Sequence, residues 1–212
     1  SNPRRAGSEK GPVFDERPLK LRTFPQPEDV HDILSLSKFG SEALLKNGYC
    51  VFDNVLPLDE CEALLQEVIE TDKGGPLTSG KVGGGQTSGK KEEMLVNQNI
   101  RNDKIMWVNH ETDEEKCPAV CKLLTEYMDM IVGGMNEHLL NHCIIQGRTK
   151  AMVACYPGSA DHGTYYTKHV DNPVRDGRVI TCILYLNKDW NGEDKGGVLR
   201  AFPTATPEDY VD

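Results

Sequence analysis

The sequence predicts an α+β protein in which helices precede and cover a β-sandwich or jelly roll. Two observations support this prediction. Apolar residues recur at helical spacing before Lys150, and from Lys150 onward the chain changes to short β-like runs separated by Pro, Gly, Asn and Asp. Regular short strands with turn signals are typical of these layered β architectures. The predicted strands cover residues 150–156, 164–171, 178–187 and 196–202.

The chain is predicted to consist of a disordered tail followed by one domain. Residues 1 to 27 are rich in Pro and Arg and lack apolar periodicity, so they cannot bury enough apolar surface to offset the entropy of ordering. Residues 28 to 212 are assigned to the domain, since a chain of this size buries roughly 70% of its unfolded surface and can form a real core.

Two helical regions are predicted before residue 77. Apolar residues from Val30 to Leu45 indicate short helices that end at Asn47-Gly48, and a strand from Tyr49 to Asp53 follows. A further helix begins at Asp59, where Glu62 three residues later is typical of a capping box. It ends at a Gly-Gly-Pro sequence.

A long loop and a third helix complete the first part of the chain. Residues from Leu77 to Glu93 are mostly Gly, Ser, Thr and Lys, which predicts a mobile loop. A loop of this length is uncommon in a compact domain unless it has a function, such as gating a site. The third helix runs from about Cys117 to Leu140, with Pro118 suited to its first turn and a bend at Gly133-Gly134.

Charge and hydropathy limit the partners that the chain can have. The formal net charge of −9 disfavours binding to nucleic acid or anionic lipid, which requires a surplus of Lys and Arg. No apolar run approaches the roughly 20 residues of a membrane span, and the first residues lack the apolar core of a signal peptide. We therefore expect a monomer in the cytoplasm or nucleus that binds neither nucleic acid nor membrane.

The cysteines favour reduced, buried thiols over a disulfide framework. Their number is odd, and most stand inside apolar stretches. Cys117 and Cys121 flank Pro118 and are a weaker candidate for structural zinc, because no second cysteine pair completes a set of four ligands. The seven are Cys50, Cys61, Cys117, Cys121, Cys143, Cys155 and Cys182.

Two further motifs resemble ligand sites but are better explained as ordinary structure. Residues 84 to 91 nearly match a phosphate-binding loop, yet Lys91 replaces the hydroxyl that would hold magnesium, and no buried strand precedes the motif. His138 and His142 have metal-ligand spacing on a helix, but no Glu follows His138, and histidines near a helix C-terminus interact favourably with its dipole. No G-x-S-x-G motif supports a nucleophilic serine.

The strongest candidate site is the segment "YYTKHVDNP", residues 165 to 173. Side chains alternate along a strand, so His169 and Asp171 would lie on one side and Val170 on the other. An imidazole and a carboxylate on the same side can bind one metal ion, although this spacing also arises by chance. The flanking segments must therefore decide between a metal site and ordinary surface polarity.

The segments on both sides of this motif resemble a known enzyme family. "GRTKAMVACYPG" and "DGRVITCILYLNKDWNGEDKGGVLRAFP" are apolar on both faces, as strands inside a sandwich are. With "HVDNP", residues 147 to 203 closely resemble the prolyl hydroxylases of hypoxia-inducible factor, which are Fe(II)- and 2-oxoglutarate-dependent oxygenases. "RNDKIMW" and "KNGYCVFDN" extend the resemblance to about residue 38. It implies a double-stranded β-helix, or jelly roll, with supporting N-terminal helices.

The resemblance implies an iron(II) site beside a pocket for 2-oxoglutarate, with O2 as cosubstrate and ascorbate as a further cofactor. Iron(II) oxygenases bind the metal through three protein groups on one octahedral face, and His169 and Asp171 are implied as two of these groups and as catalytic residues. Tyr185 is implied to hydrogen-bond the distal carboxylate of 2-oxoglutarate. Tyr156 and Leu199 are the other pocket residues that it implies. In a strand Met152 would share a face with Tyr156, and Thr181 and Ile183 with Tyr185, so these residues are pocket candidates too, with core packing as the alternative.

The implied substrate is a peptide of a hypoxia-inducible-factor-α-like protein that contains a target proline. Arg178 and Asp103 match a charged pair that helps to position the mobile loop and this peptide, with a surface ion pair as the alternative. Tyr166 and Trp107 would border the peptide groove. The implied enzyme is a peptidyl-prolyl 4-dioxygenase of the procollagen-type reaction class, which acts as an oxygen sensor. A ribosomal protein proline is an alternative target.

The chain departs from the family pattern in its last residues. The family places a second histidine ligand, and an arginine for the distal carboxylate, on later strands, whereas the last histidine here is His169. His162 is too close in sequence to replace that ligand. We therefore expect a jelly roll truncated at its C-terminus, and a 212-residue chain that binds iron weakly and is inactive alone. The alternative function is an inactive oxygenase-fold module that binds proline-containing peptides.

Overall fold

The first helix, α1 (Ile33–Asn47), has clear capping signals at both ends. The Asp32 carboxylate accepts hydrogen bonds from the backbone N–H groups of Leu34 and Ser35, and Gly48 leaves the helix with a left-handed φ of 75°. The sequence predicted this end at Asn47-Gly48, but the structure has one continuous helix where short helices were expected. Residues 1 to 27, the predicted tail, lie outside the residues that the structure describes.

The computed structural model describes residues 32–82, 86–87, 90–91, 96–158, 163–172, 175–199 and 201. Within them, α2 (Leu58–Lys73) ends at Gly74, as predicted. The predicted capping box is wrong, because Pro57 occupies the N-cap position and none of the described side chains caps this helix. The segment from Tyr49 to Asp53 is not a strand, since it has no ladder partner among the described residues.

The third helical region follows the prediction closely. It comprises α3 (Pro118–Lys122), a π-helix (Leu123–Met128), α4 (Asp129–Gly134) and α5 (Asn136–Leu139), and Pro118 occupies the first turn. The N-terminus of α3 is capped from α2, because the Glu67 carboxylate accepts hydrogen bonds from the backbone N–H groups of Ala119 and Val120 at 2.7 and 2.9 Å.

The sheet is small and antiparallel. Strands β1 (Thr78–Ser79), β4 (Lys104–Val108) and β5 (Ala151–Cys155) form it in the order β1-β4-β5, and Trp107 stands opposite Met152. Strands β2 (Gln86–Thr87) and β3 (Lys90–Lys91) pair separately. The predicted loop from Leu77 to Glu93 therefore contains short paired segments, and residues 83–85, 88–89 and 92–93 of it lie outside the described residues.

Three of the four predicted C-terminal strands are not strands in the described residues. Residues 164–171 contain a single bridge, between Tyr166 and Arg101, and the described parts of 178–187 and 196–202 form no ladder. A strand requires a continuous ladder of hydrogen bonds to a neighbour, and among the described residues 164–171 has only the isolated bridge to Arg101. The side chains nevertheless alternate near residue 185, where Leu184 and Leu186 pack on the core and Tyr185 is exposed.

Two apolar clusters form the core of the larger unit. One lies between the sheet, α2 and the third helical region, and the other joins α1 to α4 and α5. All seven cysteines are free thiols, as predicted, but only Cys117 and Cys121 are buried. None of the described helices combines the length and apolarity needed to cross a membrane. The buried members of the clusters are Leu64, Val108, Cys117, Val120, Cys121 and Leu124, and Leu36, Ile131, Met135 and Leu139.

The chain divides into two compact units, residues 24–190 and residues 1–23 with 191–212. All elements given above belong to the first unit. The described part of the second unit contains the short helix α6 (Gly192–Lys195), followed by two glycines with positive φ at 196 and 197. At the coarse level the predicted α+β class agrees with this combination of helices and a sheet.

Candidate metal and cosubstrate site

The structure brings the side chains of His169 and Asp171 together. The distance from His169 Nε2 to Asp171 Oδ1 is 3.2 Å, and 35% and 50% of the two side chains are exposed. The segment that carries them bends and is not a strand, yet the two side chains reach the same side of it. Among the described residues, no group of three or more His, Cys, Asp or Glu side chains is arranged to hold a metal ion.

The backbone determines which nitrogen of His169 is available. Nδ1 lies 2.6 Å from the carbonyl oxygen of Thr167, and because a carbonyl only accepts hydrogen bonds, Nδ1 carries the proton. In a neutral ring Nε2 then directs its lone pair at the Asp171 carboxylate, whereas in a protonated ring Nε2 donates a hydrogen bond to that carboxylate. Two such lone pairs are compatible only with a proton or a cation between them. Adjacent ligands of an octahedral ion are about 3 Å apart when the bonds are about 2.1 Å long, so this donor pair fits a divalent metal.

Two neighbouring side chains hold the pair in this orientation. The Thr181 hydroxyl donates a hydrogen bond of 2.7 Å to Asp171 Oδ2, which leaves Oδ1 directed at the imidazole. The Tyr166 ring stacks on the His169 ring, with centroids 3.6 Å apart and planes inclined by 17°. Contacts of this kind fix the direction of metal ligands in known sites.

A buried ion pair lies next to Tyr166. Arg101 Nε and Nη2 donate hydrogen bonds of 2.7 and 2.5 Å to the two carboxylate oxygens of Asp103, and 6% and 0% of these side chains are exposed. The guanidinium carbon lies 4.4 Å from the centre of the Tyr166 ring, and Nη2 is 3.7 Å from Met152 Sδ. The hydrogen bonds to Asp103 raise the pKa of Arg101, so the guanidinium stays charged.

Comparison with known proteins shows which proteins this chain resembles. Residues 151–211 match the family model described as the 2OG-Fe(II) oxygenase superfamily. Egl nine homolog 1 of Homo sapiens is 42% identical over 158 residues, which are 74% of this chain and 34% of that protein. The hypoxia-inducible factor prolyl hydroxylase of Caenorhabditis elegans is 34% identical over 193 residues, 90% of this chain and 24% of that protein.

One solved structure gives the same result. A prolyl hydroxylase in complex with a hypoxia inducible factor oxygen degradation domain peptide fragment, from Trichoplax adhaerens, matches with a TM-score of 0.62 and 37% identity, over 76% of this chain and 66% of that one. This chain is a relative of the hypoxia-inducible factor prolyl hydroxylases. The resemblance predicted from residues 147 to 203 is thereby confirmed. The chain spans less than half of the length of the Egl nine homolog 1 proteins that it matches.

The residues that the hydroxylase resemblance assigns to the 2-oxoglutarate pocket lie on open surfaces. Met152 on β5 and Tyr156 just after it share one face of the sheet, and Ile183 and Tyr185 alternate with the core residues 184 and 186. Leu199 belongs to the second unit. The four residues of the first unit are between 40% and 56% exposed, so in its described part they do not line an enclosed cavity, and Leu199 is 53% exposed.

The two tyrosines that the resemblance assigns to the cosubstrate pocket keep their protons at neutral pH. Burial of the phenol, followed by the nearby Asp103 carboxylate, raises the pKa of Tyr156 to about 12. Burial also raises the pKa of Tyr185. Both phenols therefore keep their protons: the Tyr156 hydroxyl hydrogen-bonds the Asp103 carboxylate, and donation to a carboxylate is the role that the resemblance implies for Tyr185.

The predicted charged pair of Arg178 and Asp103 is wrong as a pair. Arg178 Nη2 lies 2.9 Å from Asp176 Oδ2, on an exposed turn, while Asp103 is buried against Arg101. A partner two residues away is available without any ordering of distant segments, which explains the local pairing of Arg178. The roles of these two residues in binding a peptide stay predictions.

Trp107 and Tyr166, the residues predicted to border the peptide groove, lie in different surroundings. Trp107 is 48% exposed on β4, opposite Met152. Tyr166 is half-buried between the Arg101 guanidinium and the His169 ring. An exposed indole is available to a partner, whereas the phenol ring already has two stacking partners.

Three contributors to the site escaped the sequence analysis, namely Arg101, the Thr181 hydroxyl and the Thr167 carbonyl. Arg101 and Asp103 have the same two-residue spacing as the metal-ligand candidates, and this spacing next to the apolar run 105–108 was the signal that could have revealed the pair. The Thr181 hydroxyl reaches Asp171 from ten residues away, and no pattern in the sequence indicates that contact. The Thr167 carbonyl leaves no trace in the sequence, because every residue has one.

Proposed function

We propose that this chain carries the Fe(II) and 2-oxoglutarate site of a prolyl 4-hydroxylase that acts on a hypoxia-inducible-factor-like protein and senses oxygen. The observation that supports this most is the 3.2 Å approach of His169 Nε2 to Asp171 Oδ1, with the proton held on Nδ1 by the Thr167 carbonyl. The finer assignment to the procollagen-type reaction class is part of the same proposal.

In this proposal, His169 and Asp171 hold the metal. When bound, iron with 2-oxoglutarate and O2 supplies the oxidising chemistry that inserts one oxygen atom into a C–H bond and converts the keto acid to succinate and carbon dioxide. The chain orients its own donors: Thr167 keeps the proton on Nδ1, and Thr181 engages the second carboxylate oxygen. In the metal-free chain, His169 Nε2 and Asp171 Oδ1 are therefore already oriented toward the proposed metal position.

We also propose that the fold is a double-stranded β-helix, of which these residues form a part. The alternation of core contacts at Leu184 and Leu186 with exposure at Ile183 and Tyr185 supports this, since strands of a jelly roll alternate in this way. Residues 172–212 contain no histidine, so the second histidine that the resemblance implies is not among the 212 residues. Iron binding by two protein groups is expected to be weak.

The open face of the sheet supports a peptide substrate. Trp107, Met152 and Tyr156 are large side chains exposed on the same side of β4 and β5, and exposed apolar groups that cluster are typical of interaction sites. In this proposal Tyr156, Met152, Ile183, Tyr185 and Leu199 bind the keto acid, while Trp107, Tyr166, Arg178 and Asp103 serve the peptide. The cytoplasm or nucleus is the proposed compartment.

Metal binding is tested without turnover. Equilibrium dialysis of the 212-residue chain against Fe(II) without oxygen should show weak binding at one site, and His169→Ala or Asp171→Ala should abolish it. His138→Ala is the matched control, because this exposed histidine on α5 lies outside the site. Equal binding by wild type and both site variants would contradict the proposal.

Turnover separates the enzyme from the inactive module. With excess Fe(II), 2-oxoglutarate, oxygen and a proline-containing degron peptide, a full-length form that includes the implied second histidine and arginine is expected to add one oxygen atom to the proline for each succinate formed. The same mixture without oxygen should leave the peptide unchanged. A peptide that binds and gains no oxygen, while no succinate appears, would favour the inactive peptide-binding module.

A further inference from the structure

The segment that carries His169 is attached to the residues just before β4. Thr167 N–H donates to the Ile100 carbonyl at 2.8 Å, and Asn102 N–H donates to the Tyr165 carbonyl at 3.2 Å. The Asn102 side chain also accepts a hydrogen bond of 2.7 Å from Tyr165 N–H. Residues 165–167 are therefore fixed along residues 100–102, and the Thr167 carbonyl that holds the His169 ring belongs to the fixed part.

The side chains continue this attachment as a stack of three planar groups. The Arg101 guanidinium carbon lies over the Tyr166 ring, 4.4 Å from its centre. The His169 imidazole stacks on the same phenol ring, and the two ring centres are 3.6 Å apart. A cation is attracted to the face of an aromatic ring. The orientation of the guanidinium thus sets the orientation of the phenol ring, which in turn limits the rotation of the imidazole.

The guanidinium plane is itself fixed on two sides. Its two parallel hydrogen bonds to Asp103 allow only one orientation of the plane, whereas the ammonium group of a lysine would not fix an orientation. On another side the backbone of Gly80 comes so close that a Cβ atom there would overlap Arg101 Nε and Asp103 Oδ1, while Gly80 N–H donates to the Asp103 carbonyl at 2.9 Å. Arg101 therefore has little freedom to move away from Tyr166.

We propose that Arg101 is a positioning residue for the metal site: held by Asp103, it presses the Tyr166 ring against His169 so that Nε2 faces Asp171. This inference rests on the proposed function for its consequence, iron affinity, but the geometry exists without iron. A buried ion pair often adds little to stability compared with apolar residues of similar volume. Orienting Tyr166 and His169 gives the Arg101–Asp103 pair a role that apolar residues could not fill.

The first test replaces the planar fork and keeps the charge. Arg101→Lys should lower the affinity for Fe(II) by about tenfold or more, as the loss of supporting contacts around metal ligands does. Arg148→Lys is the matched control, since Arg148 forms an ion pair of 2.7 Å with Asp129 away from the site and its replacement should leave the affinity unchanged. Thermal unfolding of each variant confirms that the chain is folded.

The second test asks whether Arg101 acts through Tyr166. Tyr166→Phe keeps the stacking ring and should keep the affinity, whereas Tyr166→Leu should lose about as much as Arg101→Lys. Because residues that act through one another are not additive, the double variant Arg101→Lys/Tyr166→Leu should bind no more weakly than either single variant. Wild-type affinity in folded Arg101→Lys, or additive losses in the double variant, would overturn the inference.

A third measurement does not depend on iron. In the metal-free chain, the Cε1 proton of His169 should be shifted upfield in NMR spectra by the stacked Tyr166 ring, and His169→Ala assigns the signal. Tyr166→Phe should keep this shift and Arg101→Lys should lose it. An unchanged His169 signal in Arg101→Lys refutes positioning. If the wild-type chain binds no iron while the shift behaves as expected, the proposed function fails and the positioning inference stands.

Discussion

The two faces of the β4–β5 ladder are built in different ways. On the helical face, Met106, Val108 and Val153 pack against the core cluster that contains Leu64. On the other face, Trp107 is half-exposed beside the buried Ile105, and the ion pair of Arg101 with Asp103 is buried just before β4. Both faces therefore contain buried apolar groups, and the second face also has a buried ion pair next to it.

The apolar packing on one face and the ion pair on the other have different effects: the first stabilises the fold, and the second orients individual side chains. An apolar contact is not directional, so many side chains of similar volume satisfy it. A bidentate ion pair with a stacked ring on its guanidinium admits only a narrow range of geometries. The helical face thus holds the sheet in place, and the polar face directs individual side chains, including those next to His169.

The largest effect is expected from breaking the buried ion pair. Arg101→Met leaves the fully buried Asp103 carboxylate without its partner, which should lower the free energy of unfolding by about 3–5 kcal/mol. Urea denaturation measures this value. Arg178→Met is the matched control, because the Arg178 pair with Asp176 is exposed, and little change is expected. Equal stability of Arg101→Met and wild type would mean that the polar face does not depend on this pair.

The helical face is tested by truncation in its core. Leu64 is 3% exposed, so Leu64→Ala should lower the free energy of unfolding by about 2–5 kcal/mol. Trp107→Ala, a truncation of a larger but half-exposed side chain on the opposite face, should cost less. The same denaturation experiment compares the two. A greater loss from Trp107→Ala would show that the open face is covered and packed in solution.

Gly133 and Gly134, two adjacent glycines on α4, test how closely this helix packs against α1. A Cβ on Gly134 would overlap the buried Ser37 hydroxyl, which is already bonded to the carbonyls of Ile33 and Ile131, so Gly134→Ala should cost about 1–3 kcal/mol. Gly133 has open space around its Cβ position. Gly133→Ala should therefore raise stability by about 0.5–1 kcal/mol through helix propensity. Similar melting temperatures for the two variants would contradict this contrast.

The smallest effect is a change with pH on the polar face. The pKa of Tyr156 is raised to about 12, so between the ordinary tyrosine pKa of about 10 and this value the unfolded chain loses a proton that the folded chain keeps. Stability should therefore fall as the pH rises through that interval and be unaffected below it. Burial also raises the pKa of Tyr185 and Tyr127, so ultraviolet titration should show several late phenol ionisations, and Tyr156→Phe should remove the one near pH 12. Ionisation of all tyrosines near 10 would contradict the expected environment.

Local signals in the sequence predicted several elements because those elements depend on nearby residues. The end of α1 follows from the freedom of Gly48, and the start of α3 from the fixed φ of Pro118. Strands depend on partners elsewhere in the chain, which explains why 164–171 and 178–187 were predicted as strands and are not strands among the described residues.

The candidate site shows the same division. The two-residue spacing of His169 and Asp171 predicted that they lie together, and they do, even on a bent segment. The contacts of Arg101 with Tyr166 and of Thr181 with Asp171 join distant parts of the chain, and no local pattern announces them. The wrong pairing of Arg178 with Asp103 has the same cause, because a sequence does not show which of several carboxylates a cation will reach.

The hydrogen bonds between residues 100–102 and 165–167 have a consequence for local opening. The Asn102 and Thr167 amides are held by the same short stretch of paired backbone, so both should become accessible to solvent deuterium in a single event rather than separately. A cation bound at His169 would then slow isotope exchange at Asn102, far earlier in the chain, and the entrance to β4 would report whether the ligand segment is occupied.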